Sequence, residues 1–224
     1  MNTTRTLNIL LAAALLLLII QTNFRKGKKE TGKRTTGKEE VMSQLTPNAL
    51  TIIHQRKSVR NFTRQAVSRQ QLETLVRAGM AAPTAMNKQP WVFIAIDERK
   101  TLDELGDGLP YAKMLKQTPA AIVVCGDLNK TLEGKAQEFW IQGCSAATQN
   151  ILLAAESMGL GAVWTGVYPL ENQVKTVSTI LGLPAHVIPL NVIPVGYPTG
   201  SDHPKDKWKA ENLHWQAWQT REAR

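Results

Sequence analysis

A short basic segment before residue 61 has the residue types that bind an anion. It holds three cations and one hydroxyl: Arg56, Lys57, Ser58 and Arg60. Guanidinium groups form forked, charge-assisted hydrogen bonds with a phosphate, and a hydroxyl adds another bond. A second basic pair, Lys205 and Lys207, lies beyond the last predicted strand and could return to the same anion. Either cluster alone could be a solvated surface, so they indicate a phosphate site only in combination with other features.

Two further segments suit a flat ligand that forms hydrogen bonds along its edge. The polar loop 82–91 (APTAMNKQPW) is stiffened by its prolines, and Asn87 and Gln89 offer both donors and acceptors. The segment 163–169 (VWTGVYP) runs from a predicted strand into a turn, where Gly166 would let backbone N–H groups approach a flat ring. On composition alone, the first could be a structured turn and the second an ordinary strand exit.

Neither the cysteines nor the histidines show the spacing of a metal or redox site. Cys125 lies in an apolar run and Cys144 in a stretch of small residues, with no CxxC or Cys/His ligand spacing. We interpret both as buried structural thiols, with a disulfide or redox pair as the alternative. The four histidines are scattered, and none has a partner at ligand spacing. We therefore expect no metal.

Apolar periodicity predicts the elements that must position these segments. Helices are predicted over residues 47–55, 68–80, 136–158 and 171–181, with short helical stretches near 100–105 and 111–117. Strands are predicted over 91–97 (buried), 120–125, 161–167 and 187–195. Two prolines, Pro189 and Pro194, place the last strand at a sheet edge or a bulge. Strands that alternate with helices favour an α/β or α+β sandwich with a mixed sheet.

The predicted helix over 136–158 is apolar nearly all round, because Ala146, Leu152 and Leu153 lie outside its main apolar stripe. A helix of this kind is buried on every side. In a domain of this size, a subunit interface buries it most easily, so we expect a dimer. A central core helix in a monomer is the alternative. Tryptophans 208, 215 and 218 favour interface packing over nucleic-acid binding, since no basic stripe is interleaved with them.

The N-terminal part of the chain has a different composition. The apolar run 9–20 is shorter than the ~20 residues that a spanning helix needs. Residues 1–40 hold eight of the 27 Lys/Arg but three of the 18 Asp/Glu, so much of the +9 net charge lies outside the domain. The basic flank favours an uncleaved anchor with a cytoplasmic domain, and export after signal cleavage is the alternative. We assign residues 1–24 to a signal or anchor segment, 25–45 to a basic linker and 46–224 to the folded domain.

In this order and spacing, the segments resemble the nitroreductase family. Its members have an R-x-S-x-R segment near the domain start, here 56–60, and a P-[ST]-x-x-N-x-Q-P-W loop, here 83–91. They also have a buried dimer helix, a glycine turn after the next strand, and a G-Y-P, here 196–198, followed by basic residues. The resemblance covers about residues 48–218. It implies a dimeric α+β sandwich whose mixed, mostly antiparallel sheet is flanked by helices.

The resemblance also implies FMN as the cofactor and assigns residues to it. The phosphate and ribityl chain would be bound by Arg56, Lys57, Ser58, Arg60, Lys205 and Lys207. The isoalloxazine ring would be approached, partly from the opposite subunit, by Pro83, Thr84, Ala85, Asn87 and Gln89. The backbone around Thr165 and Gly166 would face the reactive flavin nitrogen. Lys57 and Lys207 stand where arginine is also common, and Thr84 where serine is frequent, so charge and hydroxyl are kept.

The implied activity is hydride transfer from NAD(P)H through the flavin to nitro compounds, quinones or similar acceptors. Because the flavin carries the chemistry, we expect no catalytic side chain. Donor and acceptor would use the same open flavin face in turn, which predicts ping-pong kinetics. Two alternatives stay open: another flavin reaction on the same scaffold, such as dehydrogenation or dehalogenation, and a non-enzymatic flavin-binding protein at a membrane surface.

Overall fold

The structure is a computed structural model that describes residues 48–218. The anchor predicted over 1–24 and the linker predicted over 25–45 lie outside the described residues. Within residues 48–218, no helix combines the length and the apolar character needed to cross a membrane.

The helices are α1 (Ala49–Gln55), α2 (Arg69–Met80), α3 (Arg99–Gly108), α4 (Phe139–Ser157) and α5 (Glu171–Leu181). Ser68 caps α2 as expected, because its hydroxyl accepts from the Gln71 N–H while the Gln71 side chain accepts from the Ser68 N–H. Gly182 ends α5 at a φ of 62°, a left-handed conformation that favours glycine. The short helical stretch expected near 111–117 is a 3₁₀ turn, Lys113–Lys116, and α4 is preceded by another, Gly134–Glu138.

The strands are β1 (Trp91–Ile96), β2 (Ala120–Asp127), β3 (Gly161–Ala162), β4 (Thr165–Gly166) and β5 (Val187–Gly196). They form one sheet in the order β1-β2-β5-β3, with β4 also on β5, and every strand pair is antiparallel. A parallel bridge between Ser58 and Ala162 makes the sheet mixed. The predicted mostly antiparallel sheet is therefore confirmed.

Three strand predictions need correction. The single strand expected over 161–167 is two short strands, β3 and β4, which pair with different parts of β5. The strand expected at a sheet edge is central, because β5 lies between β2 and the β3/β4 pair. β1 is the end strand of the sheet, and between its buried ends its residues are half-buried or exposed, so it is not a fully buried strand.

The central position of β5 is compatible with its prolines because each coincides with an irregularity in the ladder. The β2–β5 register shifts beside Pro189, since Cys125 pairs with Pro189 while Val124 pairs with Asn191. Pro194 lies level with the gap between β3 and β4. Proline cannot donate a ladder hydrogen bond, so it is tolerated where the ladder is interrupted. Of the two alternatives predicted for this strand, the bulge is confirmed and the position at a sheet edge is wrong.

Helices cover both faces of the sheet, which confirms the sandwich. On one face, Ile122, Val124 and Ile193 pack with residues of α2 and α4. On the other, Val123 and Val192 pack with residues of α3 and α5. Residues that alternate along β2 thus enter opposite cores, as a central strand requires.

The two cysteines are free and fully buried, as the structural interpretation expected. Burial raises the pKa of the Cys125 thiol and of the Cys144 thiol to about 12. Thiols held neutral in this way are poor nucleophiles.

Candidate functional site

The two predicted phosphate-binding segments meet in one open pocket of about 470 Å³. All six predicted phosphate residues line it, together with four residues that the sequence patterns did not indicate. The complete lining is Arg56, Lys57, Ser58, Arg60, Ser201, Asp202, His203, Pro204, Lys205 and Lys207. The structure therefore brings together residues that lie more than 140 positions apart.

The basic segment is held against β3. Ser58 bridges to Ala162, and the Val59 N–H donates to the Ala162 carbonyl at 3.0 Å. Val59 is fully buried, and a Cβ added at Gly161 would lie 2.6 Å from its Cγ1. Only glycine allows this approach, so Gly161 is part of what positions the segment.

The second half of the pocket is tied to the first by hydrogen bonds between residues 60–63 and 197–202. The Thr63 N–H donates to the Tyr197 carbonyl at 2.8 Å, and the Thr199 N–H donates to the Asn61 carbonyl at 3.1 Å. These bonds place the segment that carries Lys205 and Lys207 beside the first basic segment. Asp202, whose Oδ2 accepts from the Arg60 N–H at 3.3 Å, is an additional tie.

The pocket has an excess of positive charge. Among residues 48–218, no carboxylate lies within ion-pair distance of four of its five cations: Arg56, Arg60, Lys205 and Lys207. The fifth, Lys57, is paired with Glu156 of α4 at 2.9 Å. Four cations without an ion-pair partner, set against the one carboxylate of Asp202, and the Ser58 hydroxyl are a donor set suited to a dianionic phosphate.

The loop predicted to face a ring has an unusual backbone. Met86, Asn87 and Gln89 all have positive φ, at 49°, 53° and 49°. Such values are uncommon for residues other than glycine, and they cluster at functional sites. The loop is held by the Thr84 hydroxyl, which accepts from the Gln89 N–H at 3.0 Å, and by the Gln89 amide, which donates to Asn87 Oδ1 at 2.9 Å. A Cβ at Gly143 of α4 would come within 3.0 Å of the Thr84 Cγ2, so the loop packs closely on that helix.

The predicted glycine turn is the short strand β4. Thr165 is buried, and its hydroxyl donates to the Val192 carbonyl, so this side chain holds the strand and is not presented to a ligand. Gly166 is exposed, and a Cβ there would meet no atom within 4 Å. Packing within the described residues therefore does not demand glycine at this position, whereas close approach of a flat ligand would.

Two pockets formed by residues 48–218, one lined by the ring segment and one by the phosphate segments, have no lining residue in common. Ala85 lines a separate crevice beside Pro90 and Trp140, away from the pocket of Arg56. Helix α4, expected to be buried on every side, has a buried side and an opposite side on which Ala146 and Leu153 are only partly covered and Gln142 and Gln149 are exposed. A second subunit on that side would complete its burial.

Sequence reasoning missed Glu156 and Asp202. Glu156 contacts Lys57, which lies 99 residues away in the sequence, and Asp202 contacts Arg60, which lies 142 residues away. No local spacing marks such contacts. Within the described residues, no group of three potential ligands is arranged to hold a metal ion.

Comparison with known proteins identifies the relatives of this chain. Residues 53–109 and 104–197 match the model described as the Nitroreductase family. A protein of Methanothermobacter thermautotrophicus described as an NADH dehydrogenase/NAD(P)H nitroreductase is 42% identical over 171 residues, which are 76% of this chain and 88% of the relative.

Two solved structures show the same likeness. A crystal structure from Parabacteroides distasonis, with the same description, is 49% identical, has a TM-score of 0.72, and matches over 76% of this chain and 98% of that one. A nitroreductase from Desulfovibrio desulfuricans in complex with FMN is 28% identical, has a TM-score of 0.65, and matches over 77% of this chain and 98% of that one.

Proposed function

Because the chain belongs to the nitroreductase family, we propose that it is an FMN-dependent enzyme that transfers hydride from NAD(P)H to a small electron acceptor. The observation that carries the proposal is the pocket in which Arg56, Arg60, Lys205 and Lys207 meet. Their charge matches a phosphate dianion, and Ser58 supplies a neutral hydrogen-bonding group beside them.

The residues present fit FMN at both ends of the cofactor. The basic pocket suits the phosphate, and the open space beside Gly166 and the left-handed loop 83–89 suit the edge and face of a ring. When bound, FMN supplies the capacity to accept a hydride and pass it on. The side chains of the pocket bind and orient the cofactor, and we assign no proton transfer or covalent step to any of them.

We assign the ring to the loop and to β4. Pro83, Thr84, Ala85, Asn87 and Gln89 would approach it, and the backbone around Thr165 and Gly166 would face its reactive nitrogen. The Thr165 hydroxyl acts indirectly, because its bond to Val192 fixes the strand whose backbone is presented. Ala85 of the loop lines a pocket that has no residue in common with the phosphate pocket, and this arrangement favours a site completed by the opposite subunit.

A homodimer accounts for two apolar surfaces of the described chain. One side of α4 is only partly covered, and the C-terminal segment exposes Trp208, Trp215 and Trp218. Burying apolar surface of this kind is the main driving force for stable association. Sedimentation of the purified chain tests the dimer, and a monomer at micromolar concentration would contradict it.

Nitro compounds and quinones are the proposed acceptors, and one open ring face would receive donor and acceptor in turn. This arrangement gives ping-pong kinetics, with parallel lines in double-reciprocal plots; intersecting lines would refute it.

The apolar run at 9–20 lies outside the described residues, and we propose that it associates the enzyme with a membrane, where a quinone would be at hand. Undiminished quinone turnover in membranes after removal of residues 1–40 would contradict that proposal.

Anaerobic mixing with NADH or NADPH tests the central proposal. The aerobically purified chain should release FMN on denaturation, and its flavin band at about 450 nm should bleach with at least one of the two donors. A chain that binds FMN but bleaches with neither would be a flavin-binding protein without this activity.

A further inference from the structure

Lys57 differs from the other cations of the phosphate pocket because its ammonium group is bonded within the protein. Its Nζ lies 2.9 Å from Oε1 and 3.2 Å from Oε2 of Glu156, in the last turn of α4. The side chains are 21% and 14% exposed, whereas those of the helical pair Arg77–Glu73 are 76% and 61% exposed. An ion pair covered in this way is screened much less by water and salt than an exposed pair.

The course of the backbone explains why Lys57 points away from Arg60. The bridge from Ser58 to Ala162 and the bond from the Val59 N–H make the segment extended at this point. Successive side chains of an extended segment point to opposite sides. Val59 is fully buried, and the Lys57 side chain is directed to the same covered side, where it reaches Glu156. Lys57 still contributes to the lining of the pocket, which Ser58 and Arg60 face.

We propose that Lys57 is a positioning residue of the FMN site rather than a phosphate ligand, and that Glu156 is the residue through which it acts. The ion pair fixes the basic segment to the end of α4, so that Ser58 and Arg60 face the pocket. The phosphate charge is left to the other four cations. The proposal rests on FMN binding in this pocket, and it replaces the role that the family resemblance implies for Lys57.

A double variant with Lys57→Glu and Glu156→Lys separates a positioning role of Lys57 from direct contact with the phosphate. It keeps the net charge of the chain and exchanges only two adjacent groups. The flavin-free full chain is titrated with FMN, and quenching of flavin fluorescence gives Kd. Lys57→Glu alone sets two carboxylates side by side, and we expect Kd to rise about tenfold to about a hundredfold. Adding Glu156→Lys restores the pair, so Kd should return to within about threefold of the unmodified chain.

Arg56 is the matched control. It precedes Lys57 and lines the same pocket, but no carboxylate among residues 48–218 pairs with it. Arg56→Glu should weaken FMN binding, and the addition of Glu156→Lys should not restore it.

A single substitution covers the case in which Lys57→Glu does not fold. Glu156→Gln keeps the length of the side chain and removes the charge that holds Lys57, without changing any cation of the pocket. If the ion pair positions the segment, the Kd for FMN should rise about tenfold. Affinity that is unchanged or tighter, as expected if a released Lys57 added its own charge to the phosphate, overturns the proposal.

The outcomes separate this proposal from the proposed function. If the unmodified chain binds FMN and the reversed pair binds it as weakly as Lys57→Glu, only the positioning role is wrong. If the unmodified chain does not bind FMN, the proposed function and the positioning role both fail.

Discussion

Substitution of Gly161 by alanine should disturb the phosphate pocket without touching any residue that lines it. The added Cβ would lie 2.6, 2.7 and 2.9 Å from Cγ1, Cβ and Cγ2 of Val59. Val59 is fully buried, and its branched side chain has little rotameric freedom with which to move away. Overpacking of this kind costs about 1–3 kcal/mol.

The same displacement should weaken cofactor binding, because Val59 lies between Ser58 and Arg60. Loss of one charge-assisted hydrogen bond costs about 1.5–3 kcal/mol, so the Kd for FMN should rise about tenfold to about a hundredfold. Urea unfolding of the flavin-free protein measures the first effect, and fluorescence titration with FMN measures the second.

Val59→Ala provides a partial compensating change, because it removes Cγ1 and Cγ2 but keeps the Cβ, which would lie 2.7 Å from the new Cβ. The double variant should be less destabilised than the sum of the single variants by at least about 0.5 kcal/mol. The reasoning is refuted if Gly161→Ala unfolds at the urea concentration of the unmodified protein and binds FMN equally well. In that case the packing of Val59 on β3 does not hold the basic segment.

Three further results are expected. Gly166→Ala should change stability by less than about 0.5 kcal/mol, because its Cβ meets no atom within 4 Å, yet it should weaken FMN binding; unchanged affinity would remove Gly166 from the site. Arg56→Met and Arg60→Met should each raise the Kd for FMN about tenfold or more but leave that for riboflavin, which lacks the phosphate, nearly unchanged; equal losses for both flavins would point to a folding defect. Burial raises the pKa of Cys125 and Cys144 from 9.0 to about 12, so their contribution to stability is fully present below pH 9 and is lost as the pH rises towards 12. Urea midpoints measured across that range should fall less in a variant with both cysteines replaced by alanine, and an equal fall would assign the loss to other groups.

The sequence predicted the sandwich because its signals are local. The continuous apolar run over 120–125 marks β2, and the capping box at Ser68 marks the start of α2. The position of β5 was not predictable in this way, because two prolines normally indicate an edge strand. Only the pairing of β5 with three other strands shows that both prolines coincide with interruptions of the ladder.

The candidate site was likewise predictable only in part from the sequence. Residue types identified Arg56, Arg60, Lys205 and Lys207 as anion-binding candidates, and the structure places them in one pocket. Residue type could not tell that Lys57, between two of these cations in sequence, is bonded to a carboxylate 99 residues away. The direction of a side chain depends on the backbone that carries it, and a spacing pattern does not contain that information.

Helix α4 contacts both of the segments that are proposed to bind the cofactor. Gly143 near its start receives the Thr84 side chain of the ring-facing loop, and Glu156 near its end holds Lys57 of the phosphate segment. At 1.5 Å per residue, these two contacts are about 20 Å apart along a rigid helix. The helix that apolar composition predicted as an interface element therefore also fixes the separation of the two contacting segments. In the proposed dimer, a change at the subunit interface that shifts α4 would move both segments together, and it would therefore couple dimer formation to the geometry of the proposed FMN site.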